Sequence, residues 1–244
     1  IEISSVADIP AGTGMGSSSA FTVGLLHNLY AIRRKYVSMD ILAAEAAEIE
    51  IDIVGEPIGK QDQHASAFGG LNVIHFNPDE SVKVEPLYIK NDVYKALNDN
   101  LIMFYVGHQR KASDILAEHK RNISDEQKFN TLKNMVGLVY ELRDALYNEN
   151  LAEFARLLHE NWLLKQKLAS KISNPEINEL YEHALKHGAK GGKLLGAGGG
   201  GFMLFYCEKA QQEKLKNALL PHKTFNFNFE RDGSKIIYFG DEQI

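Results

Sequence analysis

An α+β architecture is predicted by three observations on this chain of 244 residues. Several long stretches carry apolar residues at helical spacing. Shorter runs, such as Leu101 to Val106 and the alternating Phe225, Phe227 and Phe229, read as strands. The two kinds of segment do not alternate strictly, so helices and sheet are expected to segregate rather than to repeat as βαβ units.

Each element has its own signal. Ile1-Glu2-Ile3 opens inside a predicted strand, with Ile1, Ile3, Val6 and Ile9 in a loose apolar pattern. No initiator methionine precedes it, and we expect the chain to be a fragment. Ser17 to about Lys35 is predicted helical from Phe21, Leu25, Leu29 and Ile32. Ser38 is the expected N-cap of a second helix reaching Val54, with Asp40 in its first turn and Gly55-Glu56-Pro57 as its stop. A short helix over 59–68 and strands over 71–76, 82–87 and 101–106 follow. Helices are predicted over 111–120, 126–148, 150–171 and 176–187, the last pair separated by Asn174-Pro175. Strands at 193–195 and 202–206 surround a glycine run, 209–220 reads as helix, and strands at 225–229 and 236–239 close the chain.

Composition narrows the function classes. Hydrophobic residues are 44% and charged residues 24% of the chain, ordinary globular usage that excludes wholesale disorder. A formal net charge of −5 gives no electrostatic footprint for nucleic acid or an acidic membrane. The single cysteine, Cys207, excludes an intrachain disulfide and fits a reducing cytoplasm. No apolar run approaches the about 20 residues of a membrane-spanning helix.

Two glycine-rich loops carry the first chemical signal. Pro10-Ala11-Gly12-Thr13-Gly14-Met15-Gly16-Ser17-Ser18-Ser19-Ala20 joins a predicted strand to a predicted helix. Its glycines let a ligand approach the backbone, and the helix start points free N–H groups at the loop. That is a phosphate site, with Gly12 to Ser19 as its binding residues. It is neither a Walker A sequence nor G-x-G-x-x-G, and the plainer alternative is a tight turn capped by serine. Gly191-Gly192-Lys193-Leu194-Leu195-Gly196-Ala197-Gly198-Gly199-Gly200-Gly201 lies between apolar flanks, so it belongs to a sheet rather than to a linker. Its glycines serve either a bound phosphate or sugar, or a hairpin that requires positive φ.

Two acids stand out. At about 100° per residue Glu50 falls in line with Ala43, Ala47 and Val54, opposite Glu45, Glu48 and Asp52. A carboxylate in a small apolar stripe needs a partner, either a nucleotide-bound metal or a distant Arg or Lys, unless that face is solvated. Asp62, in Gly59-Lys60-Gln61-Asp62-Gln63-His64, is a candidate base for a substrate hydroxyl, with Lys60 helping to keep it ionised. From the residues alone, a helix-capping role for Asp62 is favoured, and His64 reads as a packed or surface histidine.

In this order, these pieces resemble the GHMP kinase family, which includes galactokinase, homoserine kinase and mevalonate kinase. Pro10 to Ala20 resembles the family's ATP-phosphate loop, and Lys193 to Gly201 its glycine-rich C-terminal motif. The resemblance implies ATP and Mg2+, and a two-domain fold. An incomplete ribosomal-protein-S5-domain-2-like N-terminal part would occupy 1–90, and a ferredoxin-like C-terminal domain 91–244. It also implies Ser18 and Glu50 as magnesium ligands and Asp62 as the catalytic aspartate, which sets aside the capping role. Gly55 to Gln63, Ala67 to Asn72, Arg110 to Leu116 and Ile172 to Pro175 further resemble the D-glycero-D-manno-heptose 7-phosphate kinases of that family. This implies phosphorylation of an anomeric C1 hydroxyl on a sugar phosphate, in a pathway to nucleotide-activated heptose. Substrate contacts are expected from Gly198, Gly199 and Gly200. Arg110 is a candidate for the sugar phosphate, with a solvated basic turn as its alternative. The family's first motif, a Gly-Gly-Gly-Thr-Asp-like run, has no counterpart here, so the chain alone is expected to be weak or inactive. The competing readings are another sugar kinase, acting on galactose, fucose or an N-acetylated sugar, and a non-catalytic regulator that binds sugar and ATP.

Overall fold

The computed structural model describes residues 2–9, 12–107 and 112–240, apart from the side chains of 112–114, 119 and 120. The described residues fall into two compact units. Residues 2–9, 16–87 and 229–240 form the first, and residues 12–15 and 88–228 form the second.

The first unit contains three helices and a hairpin. Helix α1 is Ser17–Ile32, α2 is Met39–Glu48 and α3 is Gln61–Phe68. Val23, Leu42, Ala43, Ala46 and Ala67 are their common buried core. The alanines matter because small side chains at the crossing let helices approach closely. Ser38 caps α2 as its sequence predicts, its Oγ accepting from the Ile41 N–H at 3.4 Å, with Asp40 in the first turn. Strands β1 (Asn72–Phe76) and β2 (Val82–Pro86) pair antiparallel in the register Ile74↔Val84.

Three expectations for this unit are corrected. The second helix does not stay α-helical to Val54; it passes into a π-helical turn, Ile49–Ile53, in which the Val54 N–H reaches the Ile49 carbonyl at 2.9 Å. Residues 2–9 have no regular structure, and Ile3 and Val6 are exposed. Their loose pattern finds no partner strand among the described residues, and an unpaired extended segment leaves its backbone groups to water. Residues 236–239 are not a strand either, since Ile237 and Tyr238 stand in solvent. The preceding segment is tied to the end of α3 instead. The Gly70 N–H donates to the Glu230 carbonyl at 2.6 Å and the Ser234 N–H to the Ala67 carbonyl at 3.2 Å.

The second unit is an antiparallel sheet with its helices. Its elements are α4 (Asn91–Asn100), β3 (Leu101–Gly107), α5 (Ala112–Asn122), α6 (Glu126–Tyr147), α7 (Leu151–Lys165), α8 (Pro175–Lys186), β4 (Ala189–Leu194), β5 (Gly201–Cys207), α9 (Gln212–Ala218) and β6 (Thr224–Phe225). The strand order is β4-β5-β3-β6, with every pairing antiparallel. In chain order that is 4-1-3-2 read from β6, which is the ferredoxin-like arrangement. Alternation along β3 and β5 sends Ile102, Phe104, Met203 and Phe205 into the main core, where they meet Trp162 and Tyr181 from α7 and α8. Each such side chain contributes about 1.5–3 kcal/mol by burial. Gly191 allows the close approach of α7 to β4, since a Cβ there would lie 2.1 Å from the Ala155 carbonyl oxygen.

Here too the sequence and the structure differ in places. Helix α4 is not among the predicted elements, although Val93, Ala96 and Leu97 stand at helical spacing; Val93 and Leu97 are its buried residues. Helix α7 stops at Lys165 rather than near 171, and the 225–229 strand is reduced to the pair Thr224–Phe225. The α+β expectation holds.

Candidate active site

Helix α1 begins without a side-chain cap. Gly16 occupies the N-cap in the left-handed region, with φ 68°, and no hydroxyl closes the first turn. The serine-capped turn considered from sequence is therefore not formed. The N–H groups at Ser17, Ser18 and Ser19 lack helical acceptors, as at any helix start, and carry the positive end of the helix dipole. Asp62 stands against this helix start. A Cβ on Gly16 would sit 3.4 Å from the Cβ, Cγ and Oδ2 of Asp62, so glycine leaves room for the carboxylate. Asp62 is exposed in the first turn of α3, whose N-cap, Lys60, makes no side-chain cap bond.

Glu50 is buried, with 3% of its surface exposed. Ser18 Oγ donates to its Oε1, and Gln63 Nε2 donates to its Oε2 at 2.5 Å. Both donors are neutral. A buried carboxylate held by neutral donors is missing the counter-charge that would offset its desolvation. Gln63 Oε1 is buried and has no partner among the described residues. A hard-oxygen set of hydroxyl and carboxylate, already close together, suits a magnesium ion that keeps several waters and its nucleotide oxygens. Ser18 and Glu50 are thus in contact, and Asp62 lies beside Gly16 at the start of the same helix, all within the first unit. Gln63 was missed; nothing in its spacing distinguishes it from a surface glutamine on a short helix.

The π-helical turn explains how Glu50 is buried while Val54 is 64% exposed, although a regular helix would align them. One extra residue per turn shifts the phase after Ile49, and such turns are frequent at functional sites. Lys60, expected from sequence to help keep Asp62 ionised, also has a contact of its own in the hairpin. Its ammonium lies 3.4 Å from the Glu80 carbonyl and 3.5 Å from Glu80 Oε2. His64 is a packed histidine; its Nδ1–H donates to the Lys60 carbonyl at 2.7 Å, and its ring lies edge-on to Phe76.

In the second unit, residues 12–15 lie against the second glycine run. A Cβ on Gly196 would come within 2.5 Å of Gly14 Cα, and one on Gly201 within 2.2 Å of the Thr13 carbonyl oxygen. Thr13 is buried. The run itself is the turn of the β4–β5 hairpin, with Gly196 to Gly201 at positive φ wherever glycine occurs. The hairpin alternative accounts for these glycines, and their contact with substrate is an additional matter. Lys165 of α7 donates to the Leu194 and Gly196 carbonyls at 3.1 and 2.6 Å, a contact that sequence reasoning missed. Arg110, Pro10 and Ala11 lie outside the described residues.

A cavity of about 900 Å³ in the first unit is lined by Ile41, Ile51, Ile58, Lys60 and His64 among others, and includes none of Ser18, Glu50 or Asp62. No helix among the described residues is long and apolar enough to cross a membrane.

Comparison with known proteins adds an independent line. Residues 1–70 match the GHMP kinases N terminal domain and residues 142–223 the GHMP kinases C terminal domain. A D-glycero-alpha-D-manno-heptose 7-phosphate kinase of Campylobacter jejuni is 30% identical over 231 residues, covering 94% of this chain and 68% of that protein. A galactokinase of Pyrococcus furiosus is 28% identical over 254 residues, covering 91% and 69%. The crystal structure of a D-glycero-D-manno-heptose 1-phosphate kinase of Bacteroides thetaiotaomicron superposes with a TM-score of 0.72 at 28% identity, over 95% of this chain and 66% of that one. The chain thus spans about two thirds of the length of these relatives.

Proposed function

The chain belongs to the GHMP kinase family, and we propose that it works in an ATP-dependent sugar kinase. The proposed reaction moves the γ-phosphoryl group to the anomeric C1 hydroxyl of D-glycero-D-manno-heptose 7-phosphate, in the supply of nucleotide-activated heptose. The observation that carries the kinase reading is the buried Ser18–Glu50–Gln63 network at the start of α1, with Asp62 beside Gly16. The sugar rests on the likeness to the Campylobacter enzyme.

In this reading the backbone N–H groups of residues 12–19 receive the nucleotide phosphates. Ser18 and Glu50 would hold magnesium, which neutralises charge on the transferring group when bound. Asp62 orients the sugar hydroxyl and accepts its proton, the role its exposed carboxylate at the helix start permits. Gly198 to Gly200 are proposed to face the substrate. The domains proposed from sequence are 1–90 and 91–244, and the proposed setting is the cytoplasm.

Phosphorus NMR of magnesium-ATP with the heptose 7-phosphate, using protein from the complete reading frame, tests this. A new anomeric phosphate signal growing with ADP is expected. ADP formation only with galactose would favour the second reading, another sugar acceptor, to which the Pyrococcus galactokinase points. Absence of ADP with every sugar would overturn the kinase reading in favour of a regulator that binds sugar and ATP.

A further inference from the structure

The second glycine run is held by a charge. Lys165 is the last residue of α7, and its Nζ donates to two carbonyls of the β4–β5 turn, those of Leu194 and Gly196. Hydrogen bonds from a charged donor are stronger than neutral ones, and two from one ammonium fix two peptide planes at once. In a trans peptide the carbonyl and the following N–H point in opposite directions. Fixing the Gly196 carbonyl on Lys165 therefore turns the Ala197 N–H away from α7.

The neighbouring donors are already committed. The Leu195 N–H bonds to the Phe202 carbonyl and the Gly199 N–H to the Ile172 carbonyl, each at 2.9 Å. The N–H groups of Gly196, Ala197 and Gly198 have no acceptor among the described residues. On its other side Gly196 is in backbone contact with Gly14: a Cβ built on Gly14 would stand 3.0 Å from the Leu195 carbonyl oxygen and 3.2 Å from Gly196 Cα. Lys165, Gly196 and Gly14 thus form one continuous series of contacts within the second unit.

We propose that Lys165 is a positioning residue for the phosphate loop. By drawing the Leu194 and Gly196 carbonyls toward α7, it sets the peptide that supports Gly14. It also keeps those carbonyl dipoles off the side on which an anion would be received. Without the ammonium, the Gly196 carbonyl would be free to rotate, while the Leu194 peptide stays held by the Leu195 N–H on the Phe202 carbonyl, and an acceptor facing a polyphosphate repels it. The proposal deepens the nucleotide reading of residues 12–19 and rests on it.

The test measures affinity for the β,γ-imido analogue of ATP with magnesium, by calorimetry, on protein from the complete reading frame. Lys165→Met keeps the stem and removes the charge. We expect its Kd to rise about tenfold or more, the scale of one charge-assisted hydrogen bond. Lys165→Arg is expected to restore most of the affinity. In turnover the loss should fall on KM for ATP more than on kcat. An unchanged Kd in Lys165→Met would overturn the proposal. So would a loss that tracks a fall in Tm and is not rescued by arginine, because that marks a merely structural lysine. If Lys165→Met does not fold, Lys165→Gln replaces it, with affinity between wild type and total loss expected and wild-type affinity overturning the proposal. Wild-type protein that does not bind the analogue would sink the nucleotide reading itself, and the proposal with it.

Discussion

Gly196→Ala isolates the contact between the two glycine loops. Gly196 has φ +65°, and the left-handed conformation costs an alanine about 1–2 kcal/mol. The added methyl carbon would lie 2.5 Å from Gly14 Cα, 2.9 Å from its carbonyl oxygen and 3.1 Å from its carbonyl carbon. All three are backbone atoms, so no rotamer change relieves the clash, and residues 12–15 must move to reach ordinary contact. Overpacking of this kind costs a further about 1–3 kcal/mol. Gly55→Ala is the control: it has φ +82° and nothing within 4 Å, so it bears the conformational cost alone. The assay is paired, with Tm by calorimetry and Kd for the magnesium-loaded ATP analogue. Gly196→Ala should lower Tm by several degrees more than Gly55→Ala and weaken the nucleotide at least about tenfold. Equal Tm and equal Kd in the two variants would refute the reasoning, because the backbone contact would then not set the loop.

Further outcomes are expected at other sites. Asp62→Asn should lower kcat by about 100-fold or more while leaving Tm within a degree or two, since the side chain is exposed; unchanged kcat would remove the base role. Glu50→Gln should abolish magnesium-dependent turnover yet keep or raise Tm, because it removes a buried charge and the unpartnered Gln63 Oε1 can accept from the new amide; retained turnover would reject Glu50 as a metal ligand. Burial holds the Lys193 ammonium below the ordinary lysine range, so the folded state is penalised while that group is charged. Stability should therefore rise with pH toward that range, and Lys193→Met should raise Tm near neutrality by an amount that shrinks at alkaline pH, as a pH series of melts would show. The Cys207 thiol is buried and pushed up to about 11, so iodoacetamide at pH 8 should label it only in denaturant; labelling of the native protein would contradict its burial.

How far the chain could be read depended on how local each signal was. Ser38 with Asp40, Asn174 with Pro175, and the short apolar run 202–206 are short-range patterns, and all three became the caps and the strand they announce. Helix α4 has a helical period in Val93, Ala96 and Leu97, but its 10 residues repeat that period only about twice. The strands expected at 2–9 and 236–239 failed for a different reason. A strand is made by its partner, and apolar spacing alone cannot say whether one is present. The same limit applies to Lys165, whose acceptors lie 29 and 31 residues away and are backbone carbonyls, invisible to any side-chain pattern.

Glu50 shows how a partly wrong helical expectation can still place a residue on the buried side. The helical wheel placed it on an apolar stripe by assuming an α-helix through Val54, and that assumption fails at Ile49. The conclusion survives because Ala43, Ala46 and Ala47, which precede the π turn, fix the buried side of α2, and Glu50 enters the turn before the phase has drifted far. Beyond it the added residue rotates Ile53 and Val54 outward into solvent. Had the helix stayed regular, Val54 would have been carried to the buried side and Glu50 would have remained one acid on an unbroken stripe. The widened turn separates the two, so that a carboxylate reaches Ser18 and Gln63 while the chain turns toward Gly55 and on to Asp62. A buried charge held only by neutral donors lowers stability on its own. Its persistence beside a helix N-terminus supports the proposal that this site takes a cation and an anion together.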